Sequence, residues 1–427
     1  MEADSSEKEN LKTNKNKLGN EEIEKNINIK SEKSLNCWLK KALIVTAFFI
    51  YLIVAYIFCA KLYSNKNINR KVEEEINSTD FVFDPKRLDN IENYLKILKP
   101  SNSYNGPVFP DDGKITLEWM LELLDFMKDL ETVKTFEEKY IDKVYLLKML
   151  SKAKEIFNEQ ESLVDIDIPD GKNFTVVGDV HGQYYDLLHI FEINGYPSEN
   201  NYYLFNGDFV DRGLFGVECL ITLIGFKILY PDYFFISRGN HEDQSMNFRY
   251  GFRIEIFNKY EDEVVYNCIT EFYKFLPLGH VLSKEVLVLH GGLFSQEGVT
   301  LDDLKKINRF QDVPAEGLMC ELLWSDPCEE NGINPSSRGA GILFGPDVTE
   351  KFLKENNLSL LIRSHEVRME GYQIEPGGQV ITVFSAPNYC DSAGNKGGLI
   401  KFHGGYMHQP IFIQFDASPH PDFYLSK

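Results

Sequence analysis

Gly178-Asp179-Val180-His181-Gly182-Gln183, Asn206-Gly207-Asp208-Phe209-Val210-Asp211-Arg212-Gly213 and Arg238-Gly239-Asn240-His241-Glu242 are three blocks within residues 175–242, and each directly follows an apolar strand-like run. The runs cover residues 174–177, 202–205 and 233–237. A helical stretch joins the first block to the second run, and a long apolar helical run joins the second block to the third run. Strand, helix, strand, helix, strand is the order of a parallel α/β sheet. Such sheets place their ligands beyond the carboxyl ends of the strands. Asp179, His181, Asp208, Asp211, Arg212, Asn240 and His241 all fall there.

Two later histidines share this setting. Residues 286–289 form an apolar strand ending in His290-Gly291-Gly292, and residues 358–362 another ending in Arg363-Ser364-His365-Glu366. One histidine beside an apolar strand is ordinarily a hydrogen-bonded structural residue. Together with the acids and imidazoles of the three blocks, this pair reads as metal-ligating, because hard carboxylate oxygens and neutral imidazoles are what divalent ions take.

The three blocks resemble the signature blocks of the phosphoprotein phosphatase family of Ser/Thr phosphatases. The resemblance covers residues 104–420, nearest to the branch in which tetratricopeptide repeats precede the catalytic domain. Leu322-Leu323-Trp324-Ser325-Asp326-Pro327, Phe344-Gly345-Pro346 and Ser385-Ala386-Pro387-Asn388-Tyr389-Cys390 tie it to protein phosphatases rather than to metallophosphoesterases at large. It implies an α/β metallophosphoesterase sandwich of two mixed sheets flanked by helices, with the site at the loops of one edge. It implies two divalent metal ions, Mn2+ in vitro with Fe, Zn or Mg as alternatives. Asp179, His181 and Asp208 would hold the first; Asp208 would bridge to the second, completed by Asn240, His290 and His365. A metal-bridging hydroxide would attack phosphoserine or phosphothreonine in a protein, and His241, oriented by Asp211, would protonate the leaving oxygen. Arg212, Arg338, Asn240 and Tyr389 would bind the phosphate and substrate, with Asp326 supporting the second metal region. A guanidinium fork suits two phosphoryl oxygens. Two other readings remain open from sequence: a phosphoesterase for nucleotides or small phosphates, and a scaffold that has lost catalysis. One departure stands out: Ser237 precedes the third block where relatives carry leucine.

The composition agrees with a large globular domain. The chain has 427 residues, 43% hydrophobic, with 31 Phe and 22 Tyr, enough for a sizeable core. Its formal net charge of −20 leaves no basic surplus for nucleic acid. Seven cysteines show no paired spacing and read as scattered core thiols.

Ahead of the catalytic domain the chain changes character. Residues 1–41 are polar and without period, the composition of a disordered tail. Residues 42–60 carry no charge over 19 positions, long enough for one transmembrane helix. Trp38 and Tyr63 sit where interfacial aromatics belong, and Lys40, Lys41 and Lys61 flank the run. The expectation is a single-pass membrane protein. Five lysines within 20 residues on one side against four basic residues on the other leave the side and organelle of the catalytic domain undecided. Asn77-Ser78-Thr79 is a sequon usable only on a lumenal side. Residues 61–103 read as a stalk, with a helix predicted over 88–98, and 104–427 as the catalytic domain. No 34-residue period is visible, so tetratricopeptide repeats are not expected. Regulatory subunits are not legible.

Overall fold

The computed structural model describes residues 89–128 and 140–421, which fall within one compact unit, Asp84–Lys427. Its strands are β1 (Leu163–Ile166), β2 (Asn173–Val177), β3 (Asn201–Phe205), β4 (Phe234–Ile236), β5 (Gly279–Leu282), β6 (Val286–Leu289), β7 (Asp326–Pro327), β8 (Ile333–Pro335), β9 (Ile342–Phe344), β10 (Leu360–Arg363), β11 (Tyr372–Ile374), β12 (Val380–Val383), β13 (Gly397–His403) and β14 (Ile411–Phe415). The five runs that carry ligand-type residues are β2, β3, β4, β6 and β10.

Two main sheets form, ordered β1-β5-β6-β10-β12-β11 and β14-β13-β2-β3-β4, beside a small sheet β7-β9-β8. In one, β6, β10 and β12 run parallel, β11 opposes β12, and β5 opposes β6 while pairing parallel with β1. In the other, β2, β3 and β4 run parallel while β13 and β14 oppose theirs. Both are mixed, as expected. The parallel strands of each sheet deliver their carboxyl ends to one edge of the sandwich.

Strand periodicity explains the layers. Phe174, Val176, Tyr202 and Leu204 point inward and pack with Val286, Val288, Ile362 and Ile381 of the facing sheet. The alternate residues Tyr203 and Phe205 point outward to Phe191, at ring-centroid distances of 5.6 and 6.2 Å. Phe191 lies on helix Tyr184–Asn194, and helix Gly216–Leu229 is buried nearly throughout. That second helix can be buried on nearly every side because helices Leu117–Lys128 and Lys143–Asn158 cover its outer side. A Cβ on Gly225 would fall 2.6 Å from Met120 Sδ and 3.3 Å from Met149 Cε, so the three helices meet at that glycine.

The stalk assignment needs correction at its carboxyl end. Helix Asp89–Ile97 forms where predicted, but it packs onto the folded unit: Ile91 is buried and Tyr94 Oη donates to Asp262 Oδ2 at 2.9 Å. An amphipathic turn that buries an isoleucine and satisfies a phenol has no reason to stand free. Among the described residues no helix is long and apolar enough to cross a membrane. The 1–41 tail, the 42–60 run and the sequon at Asn77 lie outside the described residues.

Ser237 has a structural partner. Its hydroxyl lies 3.0 Å from His280 Nδ1, so β5 of one sheet is tied to the end of β4 in the other. Both residues are buried, and burial, helped by the Lys227 ammonium, pushes His280 down to about 3. The native chain therefore keeps this ring neutral where the unfolded chain, with a pKa of about 6.5, would protonate it. The stability it contributes is complete above about pH 6.5 and is lost as pH falls toward about 3. His280→Gln keeps a hydrogen-bonding side chain that does not titrate. Between pH 7 and pH 5 the unsubstituted chain should lose about 2 kcal/mol more unfolding free energy than this variant. Equal losses in urea unfolding at the two pH values would refute the assignment.

Candidate active site

The loops after β2, β3, β4, β6 and β10 bring all six residues read as metal ligands together. Asp179, His181, Asp208, Asn240, His290 and His365 are all buried. His181 Nε2 lies 3.6 Å from Asp179 Oδ2 and 3.5 Å from Asp208 Oδ2; His290 Nε2 lies 3.3 Å from Asp208 Oδ2 and 3.0 Å from Asn240 Oδ1. His365 N donates to Asp179 Oδ1 at 3.1 Å, locking the β10 loop onto the β2 loop. Donor atoms of His181, Asp208 and His241 converge within 4.8 Å of one another, and so do those of Asp208, His290 and His365. Asp208 is the one residue common to both groups.

These residues fit a pair of divalent cations. The Nδ1 atoms of His181 and His290 face the carbonyls of Val210 and Asn206 at 3.0 and 2.7 Å. A carbonyl only accepts, so Nδ1 carries a proton, and Nε2 is the nitrogen of each ring that would face a metal. His365 Nε2 is buried and has no hydrogen-bond partner. Burial, and then Arg338, holds this ring well below its ordinary pKa, so it is a neutral imidazole. Burial alone would raise Asp208, but the His290, His241 and His181 imidazoles outweigh it and hold the carboxyl well below its usual range.

The backbone is bent to make this convergence. His181, Asp208, Asp211, Arg212 and His365 have φ of 42°, 52°, 66°, 69° and 70°. Left-handed conformations cost non-glycine residues roughly 1–2 kcal/mol each. The surroundings hold them: buried Glu242 accepts from Asp208 N, Phe209 N and Gly239 N at 2.7, 3.0 and 2.8 Å. Gly239 is required by contact, since a Cβ there would sit 2.2 Å from Asp208 Oδ1.

The remaining predicted residues surround the ligands. His241 Nδ1 donates to Asp211 Oδ2 at 2.7 Å, which turns Nε2 toward Asp208 and His181. His241 thus belongs by position to the first group of donors, yet its other nitrogen is held by a carboxylate rather than a carbonyl. The Arg212 guanidinium stacks 3.8 Å from the Tyr250 ring. Tyr389 packs 5.1 Å from the His181 ring, and burial keeps its phenol protonated by raising its pKa. Arg338 pairs with Asp326 and donates to His365 O at 3.2 Å. Asp326 also accepts from Arg363 Nη2 at 2.6 Å. Asp326 supports the site through these two arginines, not from among the donor groups. Glu242, Asn247, Tyr250 and Arg363 were not singled out from sequence. Their roles depend on which loops meet, and no local spacing announces that.

This fold and this donor set define a calcineurin-like phosphoesterase, and the Calcineurin-like phosphoesterase family matches residues 172–369. Serine/threonine-protein phosphatase T of Trypanosoma brucei brucei is 50% identical over 77% of this chain and 67% of its own. Human Serine/threonine-protein phosphatase 5 is 45% identical over 85% of this chain and 69% of its own. A solved Saccharomyces cerevisiae protein serine/threonine phosphatase, described as similar to human phosphatase PP5, superposes with a TM-score of 0.68 at 41% identity, over 72% of this chain and 98% of its own. The chain belongs to the serine/threonine-protein phosphatase 5 family. It is accordingly a protein-serine/threonine phosphatase. A second family, described as PPP5 TPR repeat region, matches residues 64–165. The expectation that no such region precedes the catalytic domain is therefore not borne out. The described part of that match contains helices Asp89–Ile97, Leu117–Lys128 and Lys143–Asn158, and their apolar faces pack on the catalytic sandwich.

Proposed function

We propose that the chain is a membrane-anchored phosphatase that hydrolyses phosphoserine and phosphothreonine in proteins in one step. The observation that carries the chemistry is Asp208, one buried carboxylate shared by two groups of converging donors. When bound by Asp179, His181, Asp208, Asn240, His290 and His365, two divalent cations supply an acidified water and neutralise phosphoryl charge. The chain's own residues do the rest. Arg212 and Arg338 face the phosphoryl oxygens, with Asn240 beside them and Tyr389 as a wall. The His241 Nε2 proton passes to the serine or threonine oxygen as its bond to phosphorus breaks. Asp211 holds the Nδ1 proton and so fixes which nitrogen faces the site. Cys390 is exposed at the rim, and partial desolvation pushes its thiol up, which does not suit it to act as a covalent nucleophile.

Protein substrates rather than nucleotides are the reading favoured by the Trp324 and Tyr389 loops, both within the site: the Trp324 ring lies 5.5 Å from His365. With Mn2+ supplied, kcat/KM on a phosphothreonine peptide should exceed that on a diadenosine polyphosphate. Preference for the dinucleotide would overturn the substrate class while leaving the metal site standing.

Membrane anchoring rests on the uncharged 42–60 run and its lysine flanks. Protease protection in intact membranes, with a check for sugar at Asn77, tests it and assigns the side. Extraction of the chain by salt or carbonate alone would refute an embedded helix.

A further inference from the structure

The catalytic acid reading leaves open what keeps Asp211 in the one rotamer that serves His241. Asp211 has a positive φ, and its carboxylate is completely buried, with His241 as the one ion-pair partner found among the described residues. Its partners are all hydrogen-bond donors. Oδ2 receives His241 Nδ1 at 2.7 Å and Asn247 Nδ2 at 3.0 Å, and Oδ1 receives Phe252 N at 3.0 Å. Asn247 Nδ2 also donates to the His241 carbonyl at 2.8 Å. One amide group therefore touches both members of the pair, the acid at its carboxylate and the histidine at its backbone. Both targets only accept, so the amide nitrogen must face them.

The geometry of this contact is set locally. Asp243 caps helix Gln244–Tyr250 by accepting from Ser245 N at 2.8 Å, and Asn247 N donates to Asp243 O at 3.0 Å. The cap residue lies two positions after His241 and fixes the helix start at Gln244, and the first turn then aims position 247 back at the histidine. Asn247 is completely buried, and its Oδ1 finds no hydrogen-bond partner. An orphaned buried acceptor costs roughly 1–3 kcal/mol. An apolar residue of equal volume would avoid that cost, so the side chain is not explained by packing. Its two donated bonds are what it contributes.

We infer that Asn247 is a positioning residue for catalysis, which holds the Asp211 carboxylate and the His241 backbone in register so that His241 Nε2 faces the leaving oxygen. The inference rests on the reading of His241 as proton donor. It separates Asn247 from residues that merely fill the core, because its loss should matter in proportion to how much the leaving group needs a proton.

The test uses the full-length chain carrying Asn247→Leu, which keeps volume and removes both donors, with Asn247→Ser in its place if the leucine variant does not fold. On a phosphoserine peptide kcat should fall about 10-fold, a fraction of the 10²–10⁴ attributable to the acid itself. On p-nitrophenyl phosphate, whose leaving group needs little protonation, the loss should be about 3-fold or less, with KM little changed on both. Asn247→Gln, which keeps the amide, should recover part of the loss. In a His241→Ala background the Asn247 substitution should add almost nothing, because residues that act as a unit are not additive. Equal losses on the two substrates, or full additivity with His241→Ala, would overturn the inference. Failure of His241→Ala itself to discriminate between the substrates would instead refute the acid reading on which it rests.

Discussion

Asp208→Asn should lower turnover by on the order of 10³-fold, the scale on which one lost electrostatic partner acts in a transition state, while the chain stays folded. The size of the effect follows from where the carboxylate sits. Oδ2 faces both His181 Nε2 at 3.5 Å and His290 Nε2 at 3.3 Å, so a single charge serves both donor groups. Oδ1 is occupied differently, accepting from His241 N at 2.8 Å. An asparagine keeps that second bond through its own carbonyl oxygen and has nearly the same shape. The backbone holds its left-handed turn through Glu242, which binds the main chain and not the Asp208 side chain. Fold and charge are thereby separated in one substitution. Bound metal should drop below two ions per chain by elemental analysis, and the unfolding midpoint in chelator should match the unsubstituted chain. Retained turnover with two ions bound would remove Asp208 from its bridging place. Loss of the fold in chelator would mean that the carboxylate is structural.

The legibility of this site in the sequence has a physical basis. Each ligand-type residue lies within a few positions of a strand end, so a short apolar run and the block that follows it encode both the element and its chemistry. β2, β3 and β6 come out at or within one residue of the runs read from the sequence, because period two and β-branched or aromatic content are local properties. What the sequence did not show are the contacts between loops. Asp326 is joined to Arg338 and Arg363, which lie 12 and 37 positions away, and this pairing exists only after β7, β9 and β10 have assembled. Asn247 and Tyr250 come from a seven-residue helix with no motif, and they gain meaning from Asp211 and Arg212 on another loop. The helix at Asp89–Ile97 was expected over 88–98, but its docking was not, since nine residues carry the same pattern in a stalk or on a core. Ser237 stood out as a departure in one residue type, and its reason, His280, lies on a different sheet.

The general acid provides the second large effect, and the leaving group is the instrument that isolates it. His241→Ala should cost about 10²–10⁴ in kcat on phosphoserine, the usual range for a positioned proton donor. A serine alkoxide is a poor leaving group, so its bond to phosphorus cannot break far without a proton. p-Nitrophenolate leaves readily without one, and the same substitution should cost that substrate far less. The structure supports this asymmetry. His241 Nδ1 is committed to Asp211 at 2.7 Å, so Nε2 is the nitrogen left to face the site. Asp211 in turn is bound by Asn247 and the Phe252 amide, so the ring cannot easily turn away. If His241 were instead a metal ligand, a role its closeness to Asp208 and His181 permits, both substrates would lose rate together and the bound metal would fall. Leaving-group dependence at full metal content therefore decides between the two roles. Asp211→Asn should follow the histidine variant in pattern, because an amide can turn its NH2 toward Nδ1 and no longer fixes which ring nitrogen presents a proton to the site.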